Sequence, residues 1–211
     1  MSRARDLARL ACELQARIDA LPDHVDPSWL QPTDAVGPAA ARGDALPPQV
    51  QGALSKDWFV RRCGPLPSLE RLEDGGARLA LLDRTSLLAR LCALALLGRP
   101  GVLRCCVQRS ARTALQEALG PAFAPLRARD GGAAVSSEVA GWPPLAWSWV
   151  GYRELVRAGA WPDRALRRMV RLALPASRSS APRPHLVPRA SAAARERLQA
   201  LETLFGEGRA C

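Results

Sequence analysis

Apolar residues recur every three to four positions along most of this chain, the spacing of an amphipathic helix. Leu7, Leu10, Leu14, Ile18 and Leu21 form one stripe from Ser2 to Ala20, and Pro22 ends that helix. Leu87, Leu88, Leu91, Cys92, Leu94 and Ala95 write a second, more apolar helix, with Gly98 placed to stop it. Val102, Leu103 and Cys106 continue the pattern, Ser110 is placed to cap the run through Leu115, and Gly120-Pro121 closes it. Phe123 and Leu126 mark a short helix, Pro144 to Ala158 and Pro162 to Leu172 two longer ones. Leu198, Leu201 and Phe205 line a terminal helix over Ala192 to Phe205. Trp58-Phe59-Val60 reads as a short apolar anchor, and Leu79-Ala80-Leu81-Leu82 as a strand or a helical turn.

The expected architecture is all-α: one helical domain of about six to eight helices over residues 1–175, a Pro/Ser/Arg linker at 176–190, and a helix at 191–211 packing back on the domain. Its centre is the pair Thr85–Leu97 and Pro100–Gly120. Trp29, Leu88, Leu91, Leu94 and Leu115 are the expected core, because a helix apolar on most faces is not stable in water. From Thr33 to Gly52 the chain turns to alanine, glycine and proline without periodicity and reads as a surface loop.

With 211 residues there is chain enough for one sizeable core. The net charge is +10, yet Lys56 is the only lysine and alanine is abundant, a bias that GC-rich coding alone produces. A basic balance is therefore weaker support for nucleic-acid binding than usual, and a basic helical nucleic-acid-binding or regulatory protein is the alternative reading. No apolar signal core follows the charged amino terminus, and Leu91 to Gly98 falls far short of the roughly 20 residues needed to span a bilayer, so the expected location is cytoplasmic.

Catalytic chemistry is not written here. The block from Leu79 to Gly120 holds Asp83 and Glu117 as its only acids and no histidine. Cys12, Cys63, Cys92, Cys105, Cys106 and Cys211 form no CxxC pair and no ligand grouping with His24 or His185. Cys12 and Cys92 are expected on apolar helical faces, and both histidines at the surface. No catalytic residue, cofactor or metal site is expected. Gly98-Arg99-Pro100-Gly101 matches a nucleic-acid-clamping GxxG loop, but a helix-terminating turn is the better reading where strands are scarce. Trp142, Trp147 and Trp149 read as packing a helix on its preceding loop rather than as base-stacking platforms.

The chemistry lies in arginine. Residues 151–211 carry twelve arginines against five acids. Arg164, Arg167, Arg168 and Arg171 fall at i, i+3, i+4 and i+7, one face of a helix whose other face holds Leu166, Met169 and Val170. That stripe, extended by Arg153 and Arg157 one turn apart on the preceding helix, is the candidate partner-binding surface.

Four segments, in order, resemble the SctK family (the YscK and PscK type) of type III secretion accessory proteins. Asp26-Pro27-Ser28-Trp29-Leu30 is similar to the family's His-Pro-Ser-Trp-Leu element, with Asp26 where histidine is common. Leu87 to Leu94, Gly98, and Leu103-Arg104-Cys105-Cys106-Val107 resemble its leucine-rich central helix, glycine break and Leu-Arg-x-x-Val/Ile continuation. Gly141-Trp142-Pro143 resembles its Gly-Pro-Trp-Pro region less one proline, and Gly151 to Pro175, closing on Arg168 to Pro175, its late Arg-x-x-Leu-x-Leu-Pro stretch. The resemblance implies a non-enzymatic cytosolic adaptor on the inner face of the inner membrane. Its implied partners are the cytosolic domain of the inner-membrane ring protein and the pod protein of the sorting platform.

Overall fold

The computed structural model describes residues 3–29, 48–179 and 181–206, with side chains from 52 onward in the second stretch. In chain order the helices are α1 (Arg3–Asp19), α2 (Leu21–His24), α3 (Pro48–Cys63), α4 (Gly75–Ala80), α5 (Arg84–Leu97) and α6 (Pro100–Cys105). They continue as α7 (Arg109–Leu119), α8 (Phe123–Arg127), α9 (Ser137–Ala140), α10 (Pro144–Arg157), α11 (Arg164–Leu172) and α12 (Ala194–Gly206). The protein is all-α, and no strand occurs among the described residues. Single-turn pieces such as α2 and α9 raise the number of helices above the six to eight expected. The Leu79–Leu82 segment is the end of α4 and a turn.

The chain divides into two compact units, residues 1–87 with 160–178, and residues 88–159 with 179–211. In the first, α1 buries Leu10, Leu14 and Ile18 against α3 and the turn at Leu69–Glu73, and α11 packs on α3 and α4. Pro22 does more than end α1, for it stands in the first turn of α2, where its missing N–H costs nothing. Trp58 and Phe59 are buried within α3, which is a full helix rather than a short anchor. The expected loop at Thr33–Gly52 gives way to α3 by Pro48, and residues 33–47 lie outside the described set.

The turn after α2 grips the end of α11. Asp26 accepts from the Ser28 backbone N–H (3.0 Å) and hydroxyl (2.6 Å), folding Asp26-Pro27-Ser28 into a tight turn. Its backbone N–H donates to Leu172 O at 2.8 Å, and the Trp29 indole N–H to Leu174 O at 2.7 Å. The Ser28 hydroxyl accepts from the Ala176 N–H (2.7 Å), and Arg84 bridges the Asp26 carboxylate and Ala173 O. Carbonyls that a helix end leaves unsatisfied are thereby paired. Trp29, expected in the core, is half-buried, because its indole edge serves this cap.

In the second unit, Leu91 to Leu97 are buried on every face of α5, and Leu115 of α7 is fully buried. Leu88 is half-buried while Leu87 is fully buried, so the inward stripe runs through Leu87, Leu91 and Leu94. The Asp83 carboxylate caps α5 by accepting from the Ser86 N–H at 2.8 Å. The expected helix Pro100–Gly120 is two helices, broken at 106–108, where Val107 stands 81% exposed. Ser110 lies one residue inside α7, whose cap position is Gln108, and Gly120 at φ +52 ends it. Helix α10 lies against α5 through its small residues: the Ser148 hydroxyl donates to Leu88 O at 2.8 Å, and Gly151 faces Leu91 O.

Candidate functional site

Helix α11 shows why arginines at this spacing make a surface. The Asp163 carboxylate caps it, accepting from the N–H groups of Ala165 (2.7 Å) and Leu166 (3.1 Å). Ala165, Leu166, Met169, Val170 and Leu172 are buried, which turns Arg164 and Arg167 fully outward. Arg168 is half-buried and donates to Arg62 O at 3.2 Å. Arg171 has a different task. It lies 4.7 Å over the Trp29 ring and donates to the carbonyls of Leu174 (3.1 Å), Pro175 (2.6 Å) and Ala176 (2.8 Å). It closes the carboxyl end of its own helix, where a cation also meets the helix dipole favourably.

Arg153 and Arg157 belong to the second unit, whereas the α11 arginines belong to the first. Arg153 is half-buried, 5.7 Å from the Trp149 ring centre and 2.6 Å from Pro182 O, to which it donates. Arg157 is exposed. Both line a cleft of about 270 Å³ between α10 and the segment Pro184–Ala190, with Arg99, Glu154 and Arg189.

Behind this cleft lies a charge cluster that helical periodicity did not reveal. Glu154 accepts from Arg99 (Nη2–Oε1, 2.5 Å) and from Arg197 (Nη1–Oε2, 2.8 Å), and both arginine side chains are almost wholly buried. Arg99 also donates to Pro188 O (2.7 Å) and Ala95 O (2.8 Å), and Arg197 to Leu94 O (2.7 Å). The Gly98–Gly101 turn is therefore packed rather than clamping: a Cβ at Gly101 would lie 2.2 Å from Ala133 O. One sequence signal was available. Arg197 stands four residues before buried Leu201, on the inward face of α12.

The titratable groups are arranged for packing. His24, expected at the surface, is fully buried, with Nε2 at 3.1 Å from Met169 O, and burial pulls its pKa down to about 4. Burial pushes the Cys63 thiol up to about 12 and raises those of Cys92 and Cys106, so these sulfurs stay protonated and poorly nucleophilic. Cys12 is exposed rather than on the apolar face of α1, and His185 is exposed. Trp147 and Trp149 are buried in α10, and Trp142 stacks 5.2 Å from Trp147, the residue leading into the helix packing on it. Among the described residues no three His, Cys, Asp or Glu side chains gather to hold a metal, and no helix is long and apolar enough to cross a membrane.

Comparison with curated proteins and with solved structures returns no match. A family model described as "Bacterial type III secretion protein (HrpB4)" matches residues 1–207. With almost its whole length covered and an all-α fold in place, the chain belongs to the HrpB4 family of bacterial type III secretion proteins.

Proposed function

We propose that this protein is a non-enzymatic adaptor of the secretion apparatus, of the SctK type, working at the cytoplasmic face of the inner membrane. It joins the cytosolic domain of the inner-membrane ring protein to the pod protein of the sorting platform and needs no cofactor. Membership in a type III secretion family supports the setting. Two of the segments that carry the SctK resemblance are built into one device, since Asp26-Pro27-Ser28-Trp29 caps the stretch ending at Pro175. The observation that carries the reading is α11, a short helix anchored by its apolar face that offers Arg164 and Arg167 outward, with Arg168 beside them. Guanidinium forks on a rigid helix suit an acidic protein surface, where they add association rate and specificity.

The test is the triple substitution Arg164→Glu, Arg167→Glu and Arg168→Glu. Circular dichroism should be unchanged, and capture of one apparatus partner lost while the other is kept. Capture of both partners with intact secretion would reduce the stripe to a solvated face. Tight DNA binding that falls steeply with salt, and is lost in the triple variant, would instead favour a nucleic-acid-binding role.

A further inference from the structure

We propose that the cleft beside α10 is a docking site for an acidic segment of a protein partner, whose carboxylates meet Arg157 and Arg189. The other charges at the cleft are already engaged. Glu154 is neutralised between Arg99 and Arg197, and Arg99 is further bound to two carbonyls. Arg153 donates to Pro182 O. Arg157 and Arg189 are exposed at the cleft and make no hydrogen bond or ion pair among the described residues. Two guanidinium groups with no carboxylate partner among the described residues, in a cleft also lined by Val150, Val187 and Pro188, complement a carboxylate next to an apolar side chain.

Size selects the form of the occupant. A volume of about 270 Å³ takes one or two side chains of a docking segment, which an extended chain presents next to its own backbone. The wall is tied down, because Arg99 holds the Pro188 carbonyl and Arg153 holds that of Pro182 just before the lining segment, so little ordering is needed on binding. The proposal rests on the adaptor reading for its class of partner and adds a surface distinct from the α11 arginines.

The experiment measures anisotropy of a rhodamine-labelled peptide of glutamate pairs separated by single leucines, titrated with the full chain. Arg157→Glu with Arg189→Glu should weaken binding tenfold or more. Arg127→Glu with Arg129→Glu makes the same change in net charge at exposed positions outside the cleft and outside α11, and should alter it less than twofold. Cleft-variant affinity within twofold of wild type, or an equal loss in the charge-matched control, would overturn the proposal. So would displacement of the peptide by inorganic phosphate at the peptide's own concentration, which would make the cleft a free-anion site. The assay contains no secretion component, so its failure leaves the capture experiment on α11 standing.

Discussion

Gly151 of α10 lies so close to Leu91 of α5 that a Cβ built on it would stand 2.0 Å from the Leu91 carbonyl oxygen. The obstacle is backbone, which no rotamer change can move aside. In an open helix, glycine to alanine would add about 1 kcal/mol of helix propensity. Here Gly151→Ala should destabilise by about 1–3 kcal/mol, because the helices must separate, with loss of packing along both. A lowered urea midpoint checks this, and an unchanged or raised midpoint would contradict it.

Leu91 and Leu88 sit on the same helix but differ in burial. Leu91→Ala should cost about 2–5 kcal/mol by leaving a cavity that its neighbours only partly fill. Leu88→Ala removes the same atoms from a half-buried position and should cost about half as much or less. Equilibrium unfolding of the two variants side by side tests the ranking.

Glu154 is the one carboxylate among the described residues that pairs with buried Arg99 and Arg197. Glu154→Gln keeps the shape and leaves two desolvated cations facing each other. The expected loss is about 3–5 kcal/mol, the range for breaking a buried pair on one side. High salt should restore little of it, because both guanidinium groups are almost wholly buried and screening acts weakly there. A variant as stable as wild type at low and high salt would show that the cluster contributes nothing.

His24 makes the fold sensitive to acid. Burial, the largest influence, holds its pKa at about 4 against 6.5 for the free side chain, with Arg17 and Arg84 also lowering it and the Met169 carbonyl and Asp83 opposing. The neutral ring donates from Nε2 to Met169 O, and the buried Nδ1 finds no acceptor among the described residues for a second proton. The unfolded chain therefore binds more protons between pH 6.5 and 4, and stability falls as pH drops through that window, by roughly 3 kcal/mol in all. His24→Gln should flatten this part of a stability–pH profile. A profile equally steep in the variant would assign the loss to other groups.

Periodic apolar positions made much of the fold legible. The bounds of α1, α10 and α11 were close to readable from Leu10, Leu14 and Ile18, from Pro144, and from the Leu166–Met169–Val170 face. What escaped was set by contacts distant in sequence. The Arg99–Glu154 and Arg197–Glu154 pairs join residues more than forty positions apart, and each looked like an ordinary charge on its own helix. The arginine stripe of α11 was legible as periodicity. That Arg171 would be turned back onto three carbonyls was not, because those carbonyls follow the helix rather than form it. The Cys106–Gln108 break fell inside a run whose apolar spacing continued across it.

The grip of Asp26, Ser28 and Trp29 on Leu172 to Ala176 has a consequence for synthesis. The first unit is made of two stretches separated by the 72 residues from 88 to 159. At about 5–20 residues per second, the amino-terminal helices leave the ribosome several seconds before the segment that completes their unit. During that interval α3 and α4 lack α11, and the intervening residues can begin folding first. The turn nearest the start of the chain is thus among the last parts to find its partners, and a nascent chain stalled near residue 160 exposes apolar surface for a chaperone to hold.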